Sequence, residues 1–204
     1  MRSRERRVGG DRPRASFYFD LADPGTYLAA ERVDLLFPGV TWIPASLEAL
    51  RAGLGLREPA PAERAAIAER AAALNMPLVW PDPHPAPRRA AMRAAAHACA
   101  NGSGGAFVLA ASRLAFCGGF DLDDPEVLAE AAAAAGLPLD DVLGAVGDPR
   151  HDADMEAATA RLLAAGADRL PAIRVGRSLF CGETRLAEAS ALRRDPAPER
   201  RRAQ

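Results

Sequence analysis

Asp23 stands directly before Pro24 at the head of an apolar-periodic stretch, and a carboxylate in that place can do two things. Asp-Pro is a helix-start signal: the side-chain oxygens accept from the first free backbone N–H groups, and proline suits the first helical position. The same carboxylate can handle a ligand or move a proton. Both readings stand on the sequence. Tyr27 follows four residues later on the same helical face, as core packing or as a wall of a site, and Thr26 reads as an ordinary first-turn residue. Cys99, Cys117 and Cys181 are odd in number and widely spaced, with no Cys-x-x-Cys, which excludes a paired redox motif and a four-cysteine zinc site. Small buried hydrophobes are the simpler reading of all three, including Cys181 in Leu-Phe-Cys. His84, His97 and His151 form no His-x-x-x-His and no Cys/His pair, so no metal site is expected. Arg185 offers a two-pronged fork to a carboxylate ligand, or equally to a surface ion pair. Trp42 and Trp80 read as packing residues.

Composition bounds the rest. The chain has 204 residues, 49% hydrophobic and 5% aromatic, enough for one compact domain or two small ones. Its 26 basic and 27 acidic side chains leave a net charge of −1, which argues against a nucleic-acid partner. Every basic residue is arginine, so a lysine Schiff base and a P-loop lysine are excluded. Roughly a quarter of the chain is alanine, which favours helix. No apolar run approaches the roughly 18 residues of a membrane span, and the first fourteen residues lack a secretory apolar core. No membrane partner and a cytoplasmic, reduced setting are expected.

These residues need elements to position them. Residues 1–15 read as a disordered basic arm and 193–204 as a charged tail. A strand is predicted over 16–21, a helix from Pro24 to before Pro38-Gly39, and a second strand over 40–44. Strand, helix, strand in so short a span predicts a parallel pair. From about 45 to 165 no strand signal survives. Helices are predicted over 61–74, 88–100 and 106–117, from Asp124-Pro125 to Gly136, over 139–146 and over 153–165. The four prolines of WPDPHPAP at 80–87, which holds His84, demand an extended loop. Strands at 171–175 and 178–181, joined by Gly176-Arg177, and a helix over 183–192 complete the plan. Without the helical insertion, βαβ then ββα is a thioredoxin-type α/β order, with its site where the first strand meets the first helix. A cis-proline, Pro171, is expected beside it.

The runs FYFDLADPGTYLAAERV, NMPLVWPDPHP with AMRA, FDLDDPEVLAEAAAAAGL and LPAIRVGRSLFCGETRL together resemble the DsbA-like thioredoxin superfamily. Within it the chain is most similar to 2-hydroxychromene-2-carboxylate isomerases and kappa-class glutathione transferases, over about residues 16–192. The resemblance implies a thioredoxin-like domain from 16–44 and 167–192, with a helical insertion domain from 45–166. It also implies glutathione as cofactor, bound by Pro24, Thr26, Tyr27, Leu170, Pro171, Glu183, Thr184 and Arg185, with His84 near the substrate. Relatives in this family are often homodimers.

The resemblance departs at three places. The family opens its first helix with serine, whose hydroxyl activates the glutathione thiol, and here that residue is Asp23. Its loop asparagine falls near Pro87, and its Gly-x-Asp-Arg reads Gly182-Glu183-Thr184-Arg185. A carboxylate only accepts hydrogen bonds, and its charge raises the pKa of a thiol it faces. The helix N-terminus favours negative charge, so Asp23 is expected to stay ionised and oppose a thiolate there. Two readings follow. One is a glutathione-dependent isomerase of a small aromatic carboxylate lying between the βαβ unit and the insertion, with Asp23 at the catalytic position. The other is a DsbA-like thioredoxin-fold binding protein without thiol redox activity.

Overall fold

The computed structural model describes residues 13–56, 61–82 and 88–194. Strand β1 (Ala15–Phe19) leads into helix α1 (Pro24–Leu36), and β2 (Thr41–Pro44) returns parallel to β1. Among the described residues, seven helices follow β2 before the next strand: α2 (Leu47–Gly53), α3 (Pro61–Ala73), α4 (Arg89–Ala100), α5 (Gly104–Phe116), α6 (Pro125–Ala134), α7 (Leu139–Val146) and α8 (Arg150–Ala164). The chain ends in the hairpin β3 (Ala172–Val175) and β4 (Ser178–Cys181), a 3-10 turn (Glu183–Arg185) and α9 (Leu186–Arg194). The sheet order is β2-β1-β3-β4, with β3 antiparallel to both neighbours. This is the α/β thioredoxin-type plan the element order predicts.

Strand alternation divides the core in two. Phe17 and Phe19 of β1 and Ile173 and Val175 of β3 face α1 and α9, and their apolar cluster continues into α4, α5 and α6. Trp42 meets Phe17 edge-on at 4.9 Å and Phe19 at 5.8 Å. Its indole N–H donates to Asp34 of α1 at 3.2 Å. Gly105 lies beneath this pair: a Cβ there would sit 2.8 Å from Trp42 Nε1, so the start of α5 reaches the sheet only as glycine. On the opposite face Tyr18 and Ala172 pack with Leu50 of α2 and Leu162 of α8. Insertion helices thus cover both faces of the sheet.

Several expectations shift in detail. Ala15, assigned to the arm, is buried and opens β1 by pairing with Val175, while residues 1–12 lie outside the described residues. The tail begins later than expected, because α9 runs on to Arg194. There the Arg193 guanidinium lies 5.9 Å over Phe37 and donates to the Pro38 carbonyl, which anchors the last turn. Residues 195–204 lie outside the described residues. The helix expected over 183–192 opens as a 3-10 turn, because Gly182 at φ +87° redirects the chain there. Helix α2 had no assignment. Ser46 caps it, accepting from the Ala49 N–H at 3.0 Å, and the Ser46 N–H donates to Thr159 of α8 at 2.8 Å.

Candidate functional site

The head of α1 is built by Asp23. One carboxylate oxygen accepts from the Gly25 N–H at 3.1 Å, the other from the Thr26 N–H at 3.1 Å and the Thr26 hydroxyl at 3.3 Å. The cap reading is therefore realised in full. Thr26 is buried at the junction, where its hydroxyl oxygen also accepts from the Asp20 N–H at 3.4 Å. Burial pushes the Asp23 carboxyl up to about 7, outweighing the hydrogen bonds that favour its ionised form, and the Asp20 charge pushes the same way. Asp20 is itself raised, chiefly by burial, although it accepts from the Ala22 N–H at 2.8 Å and the Leu47 N–H at 2.7 Å.

The Leu170-Pro171 peptide is cis, as the element order predicts. Pro171 abuts the head of α1: a Cβ on Gly25 would lie 2.9 Å from Pro171 Cδ and 3.2 Å from an Asp23 oxygen. Asp23, Gly25 and Pro171 therefore form one surface. The Pro171 carbonyl accepts from the Gly182 N–H at 2.7 Å. The Leu170 backbone makes no hydrogen bond to another backbone group among the described residues.

Other expected residues are engaged by partners of their own or lie exposed. Glu183 is 5% exposed and its carboxylate is taken by two arginines. Arg32 of α1 pairs with one oxygen, and Arg70 of α3 donates to the other at 2.5 Å. Arg185 is exposed and gripped by Glu188 at 2.6 and 2.7 Å, with its guanidinium 5.3 Å over Phe180; this is the surface ion-pair reading. Thr184 is exposed on the 3-10 turn. His84 and Pro87 lie outside the described residues. His97 is on α4 beside Asn101, His151 is on α8, and no group of metal-binding residues forms among the described residues. All three cysteines are free, and burial pushes the Cys99 thiol up to about 12.

Tyr27 belongs to a different feature. A cleft of about 390 Å³ opens between α1, the link after α3 and α5, lined by Tyr27, Glu31, Arg32, Leu74, Met76, Pro77, Arg113 and Cys117. The Tyr27 hydroxyl lies 2.7 Å from the Pro77 carbonyl and 3.0 Å from Cys117 Sγ, and its ring stacks on Phe116 at 5.8 Å. Burial raises the phenol, and its contact with Cys117 adds to the shift, so it stays protonated. Arg113 grips Glu31 with two bonds of 2.5 and 2.6 Å. Sequence reading missed Glu31, Arg113 and Cys117. The only available signal was spacing: Tyr27 and Glu31 on α1, and Arg113 and Cys117 on α5, are each four apart and hence one turn apart on a face.

No family model matches the sequence, and no curated protein matches it significantly. Solved structures do. A 2-hydroxychromene-2-carboxylate isomerase superposes with a TM-score of 0.74 at 17% identity, covering 87% of this chain and 92% of its own. A probable DsbA oxidoreductase from Streptomyces coelicolor superposes at 0.67 with 23% identity, over 88% and 87% of the two chains. A thioredoxin-like oxidoreductase from Silicibacter pomeroyi DSS-3 gives 0.53 at 19% identity, over 94% and 92%. The fold is the DsbA-like thioredoxin fold.

Proposed function

We propose that this chain is a glutathione-dependent isomerase of the 2-hydroxychromene-2-carboxylate isomerase type, acting on a small aromatic carboxylate. One observation carries the reading. A carboxyl group pushed to about 7 stands at the head of α1 against Pro171, where the fold family builds its site. The residues there suit an extended thiol peptide. The Leu170 backbone has no backbone partner among the described residues, and Pro171 and Gly25 leave a close-packed shelf beside it. Glutathione, when bound, supplies a thiol that adds reversibly to a conjugated double bond, permits rotation and leaves unconsumed. Asp23 is the proton acceptor in this reading. Ionised above about pH 7, it takes the thiol proton and returns it, a role a serine hydroxyl fills differently. A base near 7 suits an acid of thiol strength, because the transfer is close to balanced. A cytoplasmic, reducing setting fits this use of glutathione, as do three free cysteines.

The second reading, a thioredoxin-fold binding protein without thiol chemistry, has its own observation. Glu183, which the resemblance offers as a glutathione contact, is occupied by Arg32 and Arg70. Thermal unfolding with and without millimolar glutathione separates the two. Saturable stabilisation is expected, about 2.7 kcal/mol at a hundredfold excess over Kd. Asp23→Asn is expected to keep the fold and lose the response at pH 8. An unchanged melting temperature in the intact protein overturns the isomerase reading and leaves the binding protein.

A further inference from the structure

Two carboxyls meet at the head of α1, and the proton transfer assigned to Asp23 uses only one of them. Asp20 builds the turn that carries Asp23. Its carbonyl accepts from the Asp23 N–H at 3.1 Å, and one side-chain oxygen accepts from the Ala22 N–H at 2.8 Å. The other oxygen accepts from the Leu47 N–H at 2.7 Å, which ties the turn to the start of α2. Both oxygens of Asp20 thus hold backbone hydrogens that cannot rotate away, and at 6% exposure the residue has almost no contact with water. Protonation would weaken one of two short bonds, because a carboxylic hydroxyl accepts less well than a carboxylate oxygen.

Asp23 differs on each count. It is half-buried, its bonds to Gly25 and Thr26 are 3.1 to 3.3 Å long, and one of them comes from a hydroxyl. A hydroxyl both donates and accepts. The Thr26 hydroxyl donates to an ionised Asp23 and can turn to accept from a protonated one without moving a heavy atom. Its oxygen also accepts from the Asp20 N–H at 3.4 Å, so it stands between the two residues.

We propose that Asp20 is a positioning residue that acts through Asp23: it stays a fixed buried anion while Asp23 exchanges the proton, and its charge holds that proton in place. The Thr26 hydroxyl follows the proton as it comes and goes. Two neighbouring carboxyls resist ionising together. Burial pushes Asp23 up, and the Asp20 charge adds to it. Burial raises Asp20 as well, but its two backbone N–H bonds and Arg51 of α2 pull it back, with Glu48 of the same helix opposing. Glu48 is itself drawn to Arg89 of α4 at 3.5 Å. Helix α4 also brings the Met92 sulfur to the Leu21 N–H, and Pro171 abuts Gly25; neither carries charge. The catalytic consequence rests on the isomerase reading, in which a fixed anion beside Asp23 keeps it a usable acceptor for a thiol proton.

The test uses the full chain without glutathione and follows the aspartate carboxyl carbons by NMR between about pH 3 and pH 9. Asp20→Asn and Asp23→Asn assign the two signals. Asp20 is expected to titrate below Asp23, and Asp20→Asn to move the Asp23 midpoint about one pH unit towards acid. Thr26→Val removes the hydroxyl that favours the ionised form and is expected to move the midpoint towards alkali, and Thr26→Ser to restore it. A purely structural role would move Asp20→Asn and Thr26→Val alike towards acid, because loosened packing admits water. If Asp20→Asn does not fold, the order of the two titrations in the unaltered chain and the Thr26 variants still decide. Asp20 titrating above Asp23, an Asp23 midpoint unmoved in a folded Asp20→Asn, or a Thr26→Val midpoint that fails to rise overturns the proposal. Failure of the glutathione melt alone overturns the isomerase reading and leaves this division of roles standing.

Discussion

Replacing Asp23 with asparagine should make the protein more stable at pH 8 and leave it nearly unchanged at pH 4.5. The folded carboxyl is raised from the ordinary 3.8 to about 7, so between those values the folded protein holds a proton that the unfolded chain has released. Folding takes up that proton, and stability therefore falls as pH rises through this window, then levels off above it. The whole shift corresponds to roughly 4 kcal/mol. Asp23 is only half-buried by surface area, and water screens part of the penalty, so about 2–3 kcal/mol is the expected cost at pH 8. Asparagine keeps an acceptor for the first-turn N–H groups, caps about as well as aspartate, and carries no charge to bury. The advantage of the variant should thus grow by about 2 kcal/mol from pH 4.5 to pH 8. Asp20 is present in both proteins and acts with the same sign, and the arginine-paired Asp152 and Asp168, whose carboxyls are lowered, cancel in the difference. Urea unfolding of both proteins at four pH values gives the difference directly. Parallel stability curves, with a constant offset at every pH, would refute the claim that Asp23 is held near neutrality.

Three further changes probe the frame around this residue. Glu183→Ala leaves Arg32 and Arg70 without their shared carboxylate; both arginines retain some water, so about 2 kcal/mol should be lost in urea unfolding, and loss below about 0.5 kcal/mol would show the pairing to be idle. Gly25→Ala would ordinarily favour a helix, but its Cβ would lie 2.9 Å from Pro171, so the melting temperature should fall; a rise of the size of the helix propensity gain, about 1 kcal/mol, would mean that Pro171 yields freely. Tyr27→Phe removes the donor to Pro77 and the acceptor for Cys117 and should cost about 1–2 kcal/mol while raising the iodoacetamide reactivity of Cys117; an unchanged labelling rate would refute the directed hydrogen-bond chain.

Much of the frame was legible because its signals are local. Asp23-Pro24 and Asp124-Pro125 each announce a helix within four residues, and both caps form, with Asp124 accepting from the Glu126 N–H at 2.8 Å. The parallel pairing of β1 with β2 follows from a linker long enough for one crossover helix and no longer. Helix α2 escaped because LEALRAG spans only two turns. Its stability comes from Leu50 packing on Leu162 and from Thr159, neither of which is near it in sequence.

The same contrast explains why the site was only half visible. A cap reads its own backbone, so the place and the partners of Asp23 could be inferred from three consecutive residues. Its raised carboxyl runs against the ionised group that a helix N-terminus predicts, because burial supplied by neighbouring elements, with the Asp20 charge behind it, outweighs the helix end. Glu183 shows the limit most plainly. Its position in Gly-Glu-Thr-Arg suggested a ligand contact, yet the partners that claim it are 151 residues away on α1 and 113 residues away on α3. Among 26 arginines nothing in the sequence marks Arg32 and Arg70, or Arg113 opposite Glu31, as different from the rest. Once those pairs are drawn, however, charge is divided between two places on α1. The head carries carboxyl groups held against ionisation, and about two turns further along the helix Glu31 meets Arg113 of α5 and Arg32 meets Glu183.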